Sequence, residues 1–296
     1  MKRILIVGGV VSALALSACS SDVNGPATLQ LSADDSVQAV SLSASDATAE
    51  DVDVMAAAEA SMDGSAVAPT PTYDRFETSN LDARTSTTSA VGDSTRFAFW
   101  SFAGSCVYSS DTGRFACPDV VKNGLTLSRS AAFTDASGTA MSHYNDTTTA
   151  TANFQITVSG VHPTMLGADT ISRKRNMTAT GLLGNEATRT WNGTGTRSDG
   201  GYAHDAAKVR TYHTADTVTI ANVVVKLPRS QNPWPLSGTV TRQVSGTGSV
   251  VAGTTTRTFS VTRTVTITFN GTRLVPMMVG NVAFTLDLYT GKAVRL

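Results

Sequence analysis

An all-β fold, an antiparallel meander forming a sandwich or open half-barrel, is what the sequence predicts for residues 93–296. Three observations carry it. Residues 257–269 alternate strictly, with Arg257, Phe259, Val261, Arg263, Val265, Ile267 and Phe269 on one side and only Thr or Ser on the other. Side chains alternate across a strand, so this is the pattern of one half-buried strand. Asn270-Gly271 follows at once, the dipeptide suited to a tight hairpin turn with positive φ at both centres. Apolar-alternating segments separated by Gly, Asn or Asp recur from residue 93 onward, and no helical period of any length interrupts them.

In chain order, a hairpin turning at Asp111-Thr-Gly113 comes first. Strands are expected over 125–133 and 139–144, around Asp135-Ala-Ser-Gly138, then over 152–158, 170–180, 187–194, 209–213, 217–227 and 239–244. Ser198 to Ala206, rich in Gly, reads as a loop. As one strand, 257–269 would span roughly 43 Å, long for a globular protein, so a bulge or bend near Arg263 is expected. Residues 273–279 return from the turn, Gly280-Asn281 turns again, and Val282, Phe284, Leu286 and Leu288 mark the apolar side of the last strand. The scarcity of aromatics and Arg257 and Arg263 on an apolar strand face count against a membrane-spanning barrel.

The chain of 296 residues has zero net charge, from 23 basic and 23 acidic side chains. The balance is uneven. Residues 20–74 hold ten acidic side chains and no Lys or Arg, whereas residues 75–296 hold 21 basic and 13 acidic, a surplus of eight. Such asymmetry marks parts with different physical roles.

The first residues read MKRILIVGGVVSALALSAC. Lys2 and Arg3 precede an apolar stretch too short for a stop-transfer helix, and Leu16-Ser17-Ala18-Cys19 resembles the lipobox of bacterial lipoproteins. The resemblance covers about the first 20 residues. It implies a signal peptide over 1–18, removal before Cys19, and a lipid on the Cys19 thiol. Ser20 and Ser21, where many such proteins retained at the inner membrane carry Asp, imply the outer membrane.

Residues 19–92 then read as an acidic low-complexity tether, largely disordered because Ser, Ala, Thr and Asp bury too little apolar surface to offset ordering. Thr48-Ala-Glu-Asp51 resembles a capping box, and Val52, Met55, Ala56, Glu59 and Met62 support a short helix over 48–62, marginal unless it packs on the rest. Asp63-Gly64 stops it, and Pro69-Thr-Pro71 resumes extended chain. A flexible coil of this length averages roughly 45 Å between its ends.

Beyond Cys19 only Cys106 and Cys117 remain. They flank the first hairpin, and in an oxidising envelope a structural disulfide is expected. Candidate chemistry is sparse. Gly92-Asp93-Ser94 resembles the opening of the GDSL esterase motif, but its partner blocks are missing and the fold reads all-β. His143, His162, His204 and His213 show no metal-ligand spacing, although a hairpin would bring His204 and His213 together. No cofactor, metal or nucleic acid is expected. Sixteen of the 21 basic residues after position 74 are Arg, suited to bidentate anion contacts. Arg173, Lys174, Arg175, Arg257 and Arg263 are therefore candidate anion-binding residues on an Arg/Thr sheet surface, toward an anionic envelope glycan or lipid. The acidic tether lying along the basic domain is the intramolecular alternative. The expected function is a lipid-anchored, non-catalytic binding or structural module. A carrier holding an apolar ligand in a half-barrel cavity and a hydrolase using Ser94, His204 or His213 are the other readings.

Overall fold

A computed structural model describes residues 33–62, 106–122, 124–164, 167–184, 186–204 and 208–296. One helix, α1 (Ala33–Met62), precedes thirteen strands: β1 (Val107–Ser109), β2 (Arg114–Lys122), β3 (Leu125–Thr134), β4 (Ala140–Met141), β5 (Thr151–Thr164), β6 (Gly167–Thr180), β7 (Thr188–His204), β8 (Lys208–Lys226), β9 (Ser237–Ala252), β10 (Thr255–Thr268), β11 (Leu274–Val279), β12 (Val282–Asp287) and β13 (Lys292–Arg295). All belong to one sheet in chain order, with β4 alone set aside on β3. Every pairing is antiparallel, and among the described residues β1 and β13 are its ends. The predicted all-β meander is thus an unclosed antiparallel sheet.

The strands run longer than their apolar alternation suggests. The segments expected at 209–213 and 217–227 form one strand, β8, and the stretch read as a loop from Ser198 lies in β7 as far as His204. Long Gly-Thr-Ser runs stay in the sheet because both neighbours hydrogen-bond them, from Thr188↔Lys226 to His204↔Val209. No bulge occurs near Arg263. The β9–β10 register is unbroken from Thr255↔Ala252 to Thr268↔Thr239, and the register shifts fall instead at Trp191/Gly193, Ala221/Val224 and Cys117/Val120. The Asn270-Gly271 turn is present, with Gly271 at φ 79°.

The largest correction concerns the expected tether. Over 33–62 the chain is a continuous helix of 30 residues, so the coil expected before residue 48 and the start at Thr48 both fail there. Thr48 lies mid-helix, and its Oγ1 donates back to the Ala44 carbonyl at 2.8 Å rather than capping an N-terminus. The stop at Asp63-Gly64 and the Pro69-Thr-Pro71 segment lie outside the described residues. Helix α1 packs against β9, β10, β11 and β13. Val40, Ala44, Val52, Met55 and Ala58 join the same core as Phe154, Trp191, Ile267 and Phe284, so its tertiary packing compensates for poor intrinsic signals.

The sheet has two chemically distinct faces. Toward the core, β5 presents Ala152, Phe154, Ile156 and Val158, and β10 presents Val261, Val265 and Ile267. The other face shows Gln155, Asn176, Thr194, Thr219, Thr241 and Thr266 in one cross-strand row. Small residues on β7 let the core face fill. At Gly195 a Cβ would sit 2.5 Å from the Lys174 carbonyl oxygen and 2.6 Å from Arg175 Cδ, so the Arg175 side chain lies across this glycine.

Candidate functional site

The core face also carries charge. Arg173, Arg175, Arg197 and Arg242 occupy core-facing positions of β6, β7 and β9, and Arg229 follows β8; all are buried, as are Glu50, Asp51 and Glu59 of α1. The arginines occur at alternate positions within apolar strand faces, so the pleat that buries Ile171 and Met177 also buries Arg173 and Arg175.

Three clusters follow α1 along the sheet. In the central one, Asp51 accepts from Arg175 Nε at 2.5 Å and from Arg242 Nη2. Arg242, with no exposed surface, also donates through Nη1 to Asp216 and through Nε to Thr48 Oγ1 at 3.0 Å. Beside it, Glu50 accepts from Arg173 Nη1 at 3.2 Å. Arg173 and Arg197 share Asp199, at 3.1 and 2.5 Å, and Arg197 lies 4.0 Å from Asp46. Toward the helix C-terminus, Glu59 accepts from Trp191 Nε1 at 2.7 Å and from Arg229 Nη1 at 3.0 Å. Near the helix start, Arg263 Nη2 donates to Ser36 Oγ at 3.2 Å.

Burial alone would keep Glu50 protonated, but the charges of Arg173, Arg197 and Arg175 outweigh it and hold its carboxyl below the usual range. Asp199 is likewise opposed by burial and lowered by Arg197 and Arg173. For Arg197, burial favours deprotonation, yet Asp199, Glu50 and Asp46 raise its pKa above the ordinary guanidinium value. Buried pairs repay their desolvation only when charges and hydrogen bonds are matched. Their physical role here is therefore register. A helix shifted by one residue would leave Asp51 without Arg175 and Arg242, with buried charge uncompensated.

These contacts correct the expected anion-binding surface. Arg173 and Arg175 bond carboxylates of α1 or the sheet. Lys174 is exposed on the opposite face, so the three consecutive basic residues do not act together. Arg263 is half-buried and bonds Ser36 and its neighbour's carbonyl, while Arg257 is placed within β10. The middle of the solvent face is rich in Thr, Ser, Asn and Gln, and Arg114 lies there, donating to Ser130 and Asn153. Over residues 33–62, the acidic segment lies along the sheet, its carboxylates paired with sheet arginines.

His204 and His213 are not brought together: His204 pairs with Val209, and His213 pairs with Gly200, so the two are offset by four residues along the strands. Ser94 and Cys19 lie outside the described residues. Among those described, no three His, Cys, Asp or Glu side chains converge as metal ligands. Cys106 and Cys117 form a disulfide across the β1–β2 hairpin, beside the Val107↔Ala116 pair. The apolar face expected to line a half-barrel is packed, with Phe284, Leu286 and Leu288 buried. A polar recess of about 270 Å³ lies at the end of α1, between Met62, Tyr144, Leu182, Glu186, Arg189 and Leu227.

Sequence reasoning missed Asp46, Glu50, Asp51 and Glu59 as functional positions, and their partners Arg197, Arg229, Arg242, Asp199 and Asp216. The available signal was Arg recurring on the apolar side of alternating strands, matched to a base-free acidic segment upstream. Comparison with protein-family models, with curated proteins and with solved structures finds no match.

Proposed function

We propose that the chain is a lipid-anchored protein of the bacterial outer membrane whose β domain is a non-catalytic structural or binding module. The observation that supports it most directly is the seating of α1. The helix begins 14 residues after Cys19, and its carboxylates lock it to the sheet. An anchor at Cys19 would therefore hold the domain close to the bilayer rather than on the long coil its composition suggests.

The non-catalytic reading is supported by how the buried charges are arranged. Asp51, Glu50 and Glu59 are each matched to guanidinium groups and packed against the core, rather than poised in an open cleft. Against a carrier, the core face of β9, β10, β11 and β13 is occupied by α1 rather than left open. Binding then falls to the solvent face of hydroxyl and amide side chains.

The test is expression of the full chain in a bacterial host, followed by membrane fractionation and mass analysis of the N-terminal peptide. The reading expects a Cys19-terminated peptide carrying a diacylglyceryl group, and a Cys19→Ala chain that loses the modification and outer-membrane fractionation. An intact N-terminus, or unmodified Cys19 in a soluble fraction, would overturn it.

A further inference from the structure

Strand β11 is apolar on both sides. Val275, Met277 and Val279 point into the core and are buried, while the three outward positions are Leu274, Pro276 and Met278. A strand of that kind belongs to a sheet covered on both faces, because a sheet wetted on one side alternates apolar with polar. The neighbouring strands extend the apolar outward side. Pro276 pairs with Thr285 and Thr285 with Val294, and Met278 pairs with Ala283. Leu274 is 54% exposed, Met278 39% and Val294 66%, and Pro276 is exposed as well. The hydroxyl face stops at this point, since the β10 partner of Met278 is Thr266. Other exposed apolar side chains of the outer face lack this continuity. Val209 and Val251 stand two residues from Thr211 and Ser249, Tyr202 two from Gly200, and Val121 lies near the far end of the sheet on β2.

Size and charge point to what covers it. Three strands at about 4.8 Å spacing and five residues along β11 make the apolar part roughly 15 Å by 20 Å, or about 300 Å². That is the size at which an exposed patch marks a contact, yet less than half of the ~800 Å² per partner in a standard interface. A polar rim one side chain deep, including Arg273, Asp287, Tyr289 and Lys292, brings the face to roughly that area, and an apolar centre with a polar rim is how interfaces are built. The rim carries both signs of charge. Arg273 donates to Asp287 at 2.7 and 2.5 Å and lies 4.7 Å over the Tyr289 ring, and exposed Lys292 stands opposite Asp287 in register. An anionic lipid surface would be matched by a uniformly basic rim, which Asp287 interrupts. A mixed rim is matched by its own copy, where a two-fold axis sets the cations of one chain against Asp287 of the other.

We infer that the outward side of β11, with Val294 of β13 beside it, packs face to face on the same surface of a second copy of this chain. The two sheets then form a two-layer sandwich about a two-fold axis, and β11 is buried on both sides, as its composition requires. The inference holds whether or not Cys19 carries a lipid.

The full chain, purified from a bacterial host in mild detergent, is measured by light scattering with the detergent contribution subtracted. Two chains per particle are expected, and two again in Cys19→Ala. Met278→Asp with Val294→Asp, both at exposed positions, should weaken association by about a hundredfold or more, because each new carboxylate would be buried without a partner. One chain per particle then results, with the circular dichroism of the parent. Thr219→Asp, on the hydroxyl part of the same face, should leave two. Should the double variant fail to fold, Thr285→Cys at the middle of the patch decides: in the Cys19→Ala background, a short bismaleimide should join two chains. One chain per particle in the parent, which would leave β11 bare or covered by another segment of its own chain, overturns the inference. So do two chains persisting in the folded double variant, dissociation by Thr219→Asp to the same extent, or no cross-link at Thr285→Cys.

Discussion

Asp51→Asn perturbs the centre of the network while leaving side-chain volume nearly unchanged. Asp51 has no exposed surface, and its two partners, Arg175 and Arg242, are 6% and 0% exposed. Arg242 keeps Asp216 and Thr48 after the change, and Arg175 keeps the Lys174 and Thr196 carbonyls. The surviving bonds leave the central pair of guanidinium groups short of one negative charge. Removing one partner from a buried pair costs about 3–5 kcal/mol. For a domain of this size that corresponds to a fall in Tm of about 6–20 °C. The assay is thermal unfolding followed by circular dichroism, with Asp111→Asn in the exposed β1–β2 turn as the control, expected within about 0.5 kcal/mol of the parent. Combining Asp51→Asn with Arg242→Met should cost less than the sum of the single changes, since the pair couples. Asp51→Asn unfolding within about 0.5 kcal/mol of the parent would refute the argument that this charge holds α1.

Acid should loosen the same contact. Glu50 and Asp199 have folded pKa values below their ordinary ones. Their contribution is therefore complete above about pH 4.3, the usual unfolded range, and is lost as pH falls through the lower folded values. A pH series of unfolding midpoints should decline below about pH 4, and more gently in Glu50→Gln. Reduction of Cys106–Cys117, which closes a short loop across a sequence separation of 11, should lower stability by about 2–3 kcal/mol, measured by denaturant titration with and without reductant. Gly195→Val places a Cβ 2.5 Å from the Lys174 carbonyl oxygen and should destabilise by about 1–3 kcal/mol; an unchanged denaturation midpoint would contradict the packing of Arg175 across this glycine.

The strands were legible because one face of the sheet is apolar and the other hydroxyl-bearing. The alternation in 257–269 identifies β10, and Asn270-Gly271 the turn after it. The Gly-Thr-Ser segments at 195–204 and 245–249 were not legible as strand, since their pairing comes from neighbours and not from their own side chains. Helix α1 was harder still. It is enclosed nearly all round, with Ser41, Ser45 and Thr48 buried beside Ala44, Ala47 and Ala49, so no apolar stripe of helical period marks it. Its carboxylates look in sequence like a solvated acidic run. Only their pairing with arginines more than a hundred residues away gives them a buried role, and sequence offers no register for that pairing. The excess of Arg over Lys suggests a solvent surface by composition alone, whereas the alternation places Arg257 and Arg263 on the apolar side of their strand.

The account turns on α1 being part of the folded core, and amide hydrogen exchange measures that directly. If the buried ion pairs and packing hold the helix, amides over 40–58 should exchange only through global opening, with protection matching the centres of β8 and β9. Exchange of α1 within seconds, while β8 and β9 stay protected, would show a helix that leaves the sheet freely and would contradict the account.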